Sequence, residues 1–354
     1  MTRLFKQRKI KATGAPLHSK SGVALIVVMW VLVIVSLIVS SFAFEMQMEA
    51  KIISVQRSRF QADQLALAGI ELAKAMLLHE EDAFADEELI HEDPLLAAAV
   101  KIVDGIPVTI EEELGNGTIR VKIDFEKGRR NISKLTNEQW TELFIQTGVP
   151  SSEHDELLGC LKDWEDEGDL HELNGAEKDD SFYREKGYEP KNAPIDTIDE
   201  LMLIKGWTKE IVYGTDPKDL EDTDEPMSGV ARHLTTWGDG KVNPNSASRE
   251  VLSSLYIDEF QIEEILEARL GLDGEAGTAD DGITQKDLAA LGLDSSLFSV
   301  KPEYVTVEAE GKVGEVTSQI FAVFKLGGEA PTPLFWNEGK RRDPANPKPV
   351  AELD

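Results

Sequence analysis

The sequence predicts an α+β protein in which one long N-terminal helix packs on a small antiparallel sheet. Three observations lead to this class: an apolar run that continues into a helix-forming segment, two strand hairpins far apart in the chain, and a helical segment between them. With 354 residues, the chain can hold an anchor and one large or two modest domains.

The apolar run occupies residues 23–44 and contains no charged side chain. At 1.5 Å per residue, a helix of this length spans roughly 33 Å, which is enough to cross the hydrocarbon core of a bilayer. Six basic residues precede the run, and Glu45 follows it. The positive-inside rule therefore predicts a single-pass protein with a cytoplasmic N-terminus and a translocated body.

Residues 45–78 contain no proline, only one glycine and many good helix formers, so the apolar helix is expected to continue without a break. The result is one helix of about 55 residues, roughly 80 Å long. Such a rod is typical of a subunit that packs its helix into a filament core. A cleaved secretory signal and a plain uncleaved anchor are the alternatives.

Charge is distributed unevenly along the chain. The net charge is −29, and because residues 1–22 carry +6, residues 23–354 carry −35. Such a body repels nucleic acid and anionic lipid and favours cations. Cys160 is the only cysteine, so no intrachain disulfide forms, and a buried free thiol is expected.

Two hairpins are predicted from alternating, β-branched segments separated by glycine-containing turns. The first comprises residues 106–113 and 118–125, and the second comprises residues 303–310 and 315–326. No convincing strand is predicted between them. We therefore expect one sheet built from both hairpins, with residues 130–300 as a helical insertion and a flexible tail from Gly327.

The insertion contains three stretches in which a capping residue precedes an apolar helix; they begin at Asn131, Pro194 and Val242. The last two resemble helix-hairpin-helix modules, which bind DNA phosphates. A membrane-anchored DNA-binding protein is therefore one alternative function. Acidic residues dominate both stretches, however, whereas phosphate binding requires clustered Lys or Arg. We expect structural helix pairs and no nucleic acid.

An acidic loop in the insertion is a candidate metal site. Asp163, Asp166 and Asp169 are spaced three residues apart, and a turn at 174–175 can bring Glu177 and Asp180 back to them. Converging carboxylates repel one another unless a cation neutralises them, and a hard dication such as Ca²⁺ takes 6–8 oxygen ligands. A solvated acidic loop is the alternative.

A second acidic loop follows the same logic. Its acids are separated by glycines, which allow a loop to fold around a cation; they are Asp273, Glu275, Asp280 and Asp281. A plain solvated turn fits this pattern equally well.

Catalytic motifs are missing from the sequence. The six histidines lack metal-ligand spacing, and there is no nucleophile elbow, phosphate-binding loop or zinc motif. We expect a protein that is not an enzyme, with a membrane-tethered protease as the enzymatic alternative.

The basic leader ending in Ser21-Gly22, the apolar run and the long amphipathic helix together resemble the type IV prepilin family. This resemblance implies cleavage between Gly22 and Val23 by prepilin peptidase, and methylation. Prepilins normally have Glu at the fifth position after the cut, where this chain has Val27. That absence is characteristic of the K-type minor pseudopilin of type II secretion systems (general secretion pathway protein K).

The acidic loop also resembles the D-W-x-D…N-G-A-E pattern of that family, which binds calcium in this region. Gly168 stands where the family often has Asp, so one ligand differs. The resemblance covers residues 22 to about 326 and implies a subunit that caps the tip of the pseudopilus. Its implied partners are other minor pseudopilins, the major pseudopilin and prepilin peptidase. The implied location is the inner membrane, with a periplasmic body. A plain membrane-tethered extracytoplasmic domain is the remaining alternative.

The expected organisation follows from these segments: a leader at 1–22, a transmembrane part at 23–44, the pilin helix and first hairpin at 45–129, the inserted SAM or helix-hairpin-helix-like domain at 130–300, the second hairpin at 301–326, and the tail at 327–354.

Overall fold

The computed structural model describes residues 21–78, 94–216, 226–275, 278, 280–328 and 330–339, with the backbone alone for residues 21 and 22. The predicted leader, apart from its last two residues, and the end of the predicted tail lie outside this range. The chain divides into two compact units, residues 1–57 and 58–354, and each is considered by itself.

The predicted long helix is confirmed. Helix α1 runs from Ser21 to Leu77 without interruption. Its apolar part is exposed along its whole length, and its most apolar 18-residue window has a mean hydropathy of 3.1. Within the described ranges, it is the one helix long and apolar enough to cross a membrane. The first unit therefore has the properties of a membrane anchor.

Both predicted hairpins are confirmed, and they form one antiparallel sheet with the order β1-β2-β5-β6-β7. The strands are β1 (Val108–Leu114), β2 (Gly117–Phe125), β5 (Tyr304–Val313), β6 (Val316–Lys325) and β7 (Thr332–Glu338). Strands β2 and β5 pair directly, with Val121 opposite Ala309. The two hairpins thus meet at the centre of the sheet, although half of the chain separates them in sequence.

Strand β7 shows that the prediction of a flexible tail from Gly327 is wrong for Thr332–Glu338. Proline-rich composition suggested disorder, but an edge strand tolerates a proline because one side of its backbone needs no ladder partner. Pro333 lies opposite Phe324, and the ring of Phe335 packs 5.9 Å from that of Phe321. Cross-strand packing therefore orders this segment.

The C-terminal half of α1 packs on the sheet through small and aliphatic residues. Ala66, Ile70 and Ala73 are fully buried in a cluster with the inward-facing residues of β1, β2, β5 and β6. The approach is close, because a Cβ atom at Gly311 would lie only 2.2 Å from the carbonyl oxygen of Ala62. A further helix, α2 (Pro94–Val103), was not predicted and buries Ala99 and Ile102 in the same cluster.

The regular secondary structure described between β2 and β5 is mostly helical, as predicted. Its helices are α3 (Asn137–Thr147), α4 (His154–Glu165), α5 (Ser181–Lys186), α6 (Lys209–Tyr213), α7 (Arg249–Ser253), α8 (Glu259–Ala268) and α9 (Gln285–Ala290), with short 3₁₀ turns at Glu126–Gly128, Ile132–Lys134, Ile198–Leu203 and Ala231–His233. The expectation that this segment contains no strand is wrong, because two short strands, β3 (Arg130–Asn131) and β4 (Leu234–Thr235), form a two-residue parallel pair. It also has two hydrophobic clusters, one at 132–234 and one at 242–300.

The predicted capping residues lie where the sequence indicates. Thr136 forms a reciprocal capping box with Gln139 at the start of α3, and Thr197 forms one with Glu200 before the 3₁₀ turn Ile198–Leu203. Ser248 caps α7 by accepting a hydrogen bond from the amide of Val251. Local hydrogen bonding therefore sets the start of each predicted element in the insertion.

A buried carboxylate joins the sheet to the insertion. Glu126 follows β2 directly and is 3% exposed. It accepts hydrogen bonds from Thr306 in β5 and from Thr235 in β4, and Arg129 lies 2.9 Å away. The chain is thus tied to strand β5, in the middle of the sheet, just before the insertion begins.

Candidate metal centre

Asp163 and Glu177 are the two predicted ligands that the structure buries. Asp163 lies in the last turn of α4, on the same face as Cys160 and Trp164. Glu177 follows the turn at Asn174, whose positive φ of 65° reverses the chain. The predicted turn is therefore present, and it returns Glu177 toward the end of α4.

The carboxylate of Asp163 is only half satisfied. Its Oδ1 accepts a hydrogen bond from the Glu172 amide at 2.8 Å, whereas its buried Oδ2 has no partner among the described residues. The contact with the returning chain is tight, because a Cβ at Gly175 would lie 2.1 Å from this Oδ2. Burial raises the pKa of Asp163, and the nearby charges of Asp166 and Glu172 raise it further.

Glu177 is 1% exposed, and within the described chain neither of its carboxylate oxygens meets hydrogen-bond geometry with a partner. Burial raises its pKa first, and the negative charges of Asp163, Asp166 and Asp169 add to the effect. The Lys178 amide lowers the pKa, but the net direction remains upward. A buried carboxylate in this state is unfavourable unless a proton or a cation neutralises it.

The other three predicted ligands of this loop have partners of their own. Asp166 accepts from the Gly168 amide at 2.8 Å, and Asp169 lies 2.7 Å from Lys178. Asp180 caps α5 through the Phe182 amide and also lies 3.0 Å from Lys205. Within the described ranges, no three His, Cys, Asp or Glu side chains form a metal-binding group. The structure thus separates a buried pair from three carboxylates with local partners.

The donor set of the pair fits a hard cation. Among the described residues, Asp163 Oδ2 and both oxygens of Glu177 are buried without hydrogen-bond partners. Carboxylate oxygens that are free of other partners are the ligands that a hard dication takes. Calcium binds carboxylates together with main-chain carbonyls and water, so two carboxylate side chains can be enough to hold one ion.

The second acidic loop differs from the first because its three aspartates have donors among the described residues. Asp273 accepts from the Glu275 amide at 2.8 Å, and Asp280 accepts from the Leu272 amide at 2.7 Å. Asp281 lies 3.3 Å from Lys101, a residue of α2. Glu275 contributes its main-chain oxygen to Thr278 Oγ1 at 3.1 Å.

Cys160 is fully buried, and burial raises the pKa of its thiol to about 12. A thiol that stays protonated is a poor nucleophile, so the prediction of an inert buried cysteine is confirmed.

Two functional features were missed in the sequence. Glu126 and Arg129 lie in the run 126–130, which reads as surface charge, and Lys101 lies in a helix that was not predicted. No local pattern marks the longer-range contacts of these residues, because Thr235, Thr306 and Asp281 are more than 100 residues away from them in sequence. Only the contacts of Arg129 with Glu126 and Asp124 are local.

Comparison with known proteins agrees with this architecture. The family model described as "Type II secretion system (T2SS), protein K" matches residues 123–217, which include both Asp163 and Glu177. The type II secretion system protein K of Pseudomonas aeruginosa is 24% identical over 328 residues, covering 88% of this chain and 90% of the relative.

A solved structure shows the same fold. It is the GspK-GspI-GspJ complex of the type 2 secretion system of enterotoxigenic Escherichia coli, matched with a TM-score of 0.50 and 14% identity over 84% of this chain and 100% of the solved one. The resemblance to the protein K family of type II secretion is confirmed. That family consists of structural pseudopilins, so the resemblance does not favour the DNA-binding and plain-anchor alternatives.

Proposed function

We propose that this K-type pseudopilin caps the tip of the type II secretion pseudopilus and helps to initiate its assembly. The observation that carries the proposal is the large insertion between β2 and β5, which makes up half of the chain. A pilin body enlarged to this extent is too wide to repeat in a tightly packed helical filament. A terminal position accommodates it.

The apolar residue Val27 also supports a position at the tip of the filament. An uncompensated carboxylate in the bilayer is unfavourable, and in pilins the glutamate at this place is thought to meet the N-terminal amine of a neighbour. A terminal subunit has no neighbour on one side, so an apolar residue is the better fit. The solved relative forms a complex with GspI and GspJ, and the corresponding minor pseudopilins are the proposed partners here. The major pseudopilin is the proposed neighbour below them.

The proposed location is the inner membrane, with the N-terminus in the cytoplasm and the body in the periplasm. The exposed apolar part of α1 and the basic residues before it support this orientation.

Copy number and position test the capping role. Because Cys160 is buried and protonated, single cysteines for labelling and crosslinking can be added without removing it. A cysteine in place of the exposed Leu173 should place gold label at one end of each sheared pseudopilus. Label along the whole filament, at the stoichiometry of the major subunit, contradicts the proposal.

A matched pair of substitutions tests the role of Val27. Val27→Glu introduces a carboxylate without a partner amine and should reduce pseudopilus formation and export. Val27→Ile keeps the position apolar and should leave both unchanged. If Val27→Glu assembles as well as the unchanged chain, a neighbour's amine is present at this position and the subunit is not terminal.

We also propose that the body binds one Ca²⁺ as a structural ion through Asp163 and Glu177. The ion would neutralise two buried carboxylates that have three oxygens without donors among the described residues, namely Asp163 Oδ2 and both oxygens of Glu177. Asp166 and Asp169 add negative potential around Glu177. These residues hold and orient the ion. Its contribution is the fixed connection between the end of α4 and the chain that leads into α5.

A further inference from the structure

The second acidic loop, which the structure describes at residues 271–275, 278 and 280–282, has the side chain of Lys101 from α2 beside it. The ammonium group of Lys101 lies 3.3 Å from Asp281 Oδ2 and donates a hydrogen bond to the main-chain oxygen of Thr278. Both side chains are largely buried, with 20% of Lys101 and 11% of Asp281 exposed. This is an ion pair between residues 180 positions apart, formed by α2 and the loop.

Among the described residues of the loop, Asp280 accepts two hydrogen bonds from donors in the loop itself. The Thr278 hydroxyl lies 2.9 Å from Asp280 Oδ1, and the Leu272 amide donates to Asp280 Oδ2 at 2.7 Å. The closure is tight, because a Cβ at Gly271 would lie 2.5 Å from Asp280 Oδ2, and Gly271 has a φ of +65°. Glycine therefore permits both the turn and the close approach.

The contrast with the first loop is chemical. In the first loop, Asp163 and Glu177 have buried oxygens without donors among the described residues, whereas here the aspartates accept from amides, a hydroxyl and an ammonium group. A dication that took Asp281 and the Thr278 carbonyl as ligands would have to displace Lys101 from both. A partly buried positive charge would then remain beside the metal, without its partner.

We propose that Lys101 is the resident counter-ion of the second acidic loop and excludes divalent cations from it. The donor set at Asp273, Glu275, Asp280 and Asp281 does not fit a calcium ion while Lys101 is present, in contrast to the sequence-based prediction. The ion pair instead fastens α2 to the last part of the insertion.

Neighbouring hydrogen bonds also hold the end of α2 to the insertion. Asn243 donates to the carbonyl of Gly105 at 2.6 Å, and Asn245 donates to the carbonyls of Asp104 and Ile283 at 3.1 and 2.9 Å. Lys101 adds an ionic contact one turn before these hydrogen bonds. The end of α2 and the second acidic loop thus share one set of polar contacts.

Lys101→Met tests the proposal, because methionine keeps the apolar stem and removes the charge. Calcium is titrated into the full chain in detergent micelles, and stoichiometry is measured by calorimetry and equilibrium dialysis. We expect Lys101→Met to bind one more calcium equivalent than the unchanged chain, with at least tenfold higher affinity at this loop. The test compares the calcium stoichiometry of Lys101→Met with that of the unchanged chain, so its result does not depend on whether the first loop binds calcium.

Lys101→Arg is the matched control, since it retains the charge and should add no equivalent. If Lys101→Met does not fold, Asp281→Asn provides the test instead. It should lower the melting temperature and leave the calcium stoichiometry of the unchanged chain intact. Loss of one equivalent in Asp281→Asn overturns the proposal. An identical stoichiometry in folded Lys101→Met and the unchanged chain overturns it as well.

Discussion

The guanidinium of Arg129 lies 2.9 Å from the carboxylate of Glu126, at the point where the insertion leaves the sheet. Burial raises the pKa of Glu126, but the charge of Arg129 and the hydrogen bonds from Thr235 and Thr306 outweigh it and lower the net value. The carboxylate therefore stays ionised, and one side chain connects β4, β5 and the 3₁₀ turn at Glu126–Gly128.

Glu126→Gln should destabilise the fold strongly, because it leaves Arg129 without its main counter-ion. Breaking a buried pair costs about 3–5 kcal/mol, and we expect about 3 kcal/mol here because Asp124 lies 3.5 Å from Arg129 and compensates in part. Urea unfolding monitored by tryptophan fluorescence gives the change. Glu111→Gln is the control, since Glu111 and Arg120 are 63% and 60% exposed, and it should cost less than about 1 kcal/mol. Equal effects of the two substitutions contradict the role of Glu126.

Processing gives a second prediction. Co-expression with prepilin peptidase should remove 22 residues and leave Val23 at the N-terminus. N-terminal sequencing and intact mass distinguish the outcomes. A chain that begins at Phe44 indicates an ordinary signal peptide, and an uncut chain indicates a plain anchor. A bulky substitution at Gly22 should block the cut, whereas Val23→Ile should not.

Local patterns account for the parts of the fold that the sequence predicts. Helix α1 follows from an apolar run that continues without a break into a segment of helix formers, and each hairpin follows from alternation around a glycine turn. Strand β7 was missed because its order depends on pairing with β6, which composition does not encode. Helix α2 is short, and the buried face that stabilises it forms only against α1 and the sheet.

The candidate metal site was likewise predicted only in part from the sequence. Spacing identifies the acidic loop and its turn, but it does not indicate which carboxylates face inward. Asp163 is buried because it shares the inner face of α4 with Cys160, whereas Asp180 is the capping residue of α5. Lys101 could not be assigned to the second loop, since its partner lies 180 residues away. Tertiary contacts, which sequence spacing does not contain, decide the ligand set.

Because of the buried His233, we expect the free energy of unfolding to decrease at acidic pH. His233 is 3% exposed, and its Nδ1 lies 3.0 Å from Ser248 Oγ. Burial lowers its pKa to about 4, aided by Arg232 and Arg129 and opposed by Glu250. Because the folded pKa lies below the unfolded value of about 6.5, this contribution is present above pH 6.5 and is lost as the pH falls toward 4. The loss should reach about 3 kcal/mol at pH 4.

His233→Gln should flatten that dependence in urea unfolding measured from pH 7 to pH 4. His171→Gln is the control, because His171 is exposed and pairs with Asp179 at 2.7 Å. An unchanged pH slope in folded His233→Gln contradicts the assignment.

Calcium should stabilise the chain through the buried pair. An ion that binds the folded state alone adds RT ln(1 + [L]/Kd), or about 2.7 kcal/mol at one hundred times Kd. The melting temperature in millimolar calcium should therefore exceed that in EDTA, and Asp163→Asn with Glu177→Gln should abolish most of the difference. Asp179→Asn, an exposed change in the same segment, should retain it. Magnesium should substitute poorly, since it demands a tight octahedron and keeps its waters.

The pH dependence of calcium binding separates a metal site from a merely buried pair. The pKa values of Asp163 and Glu177 are both raised, so the metal-free fold binds protons that the unfolded chain releases. These two groups therefore make the metal-free protein more stable as the pH falls, and calcium competes with protons for their oxygens. Calorimetry in buffers of different ionisation enthalpy should detect proton release on binding, and affinity should fall between pH 7 and pH 5. Asp163→Asn with Glu177→Gln should remove both effects. If calorimetry detects no calcium binding and the melting temperature does not change, the carboxylates are neutralised by protons alone and the proposed site is wrong.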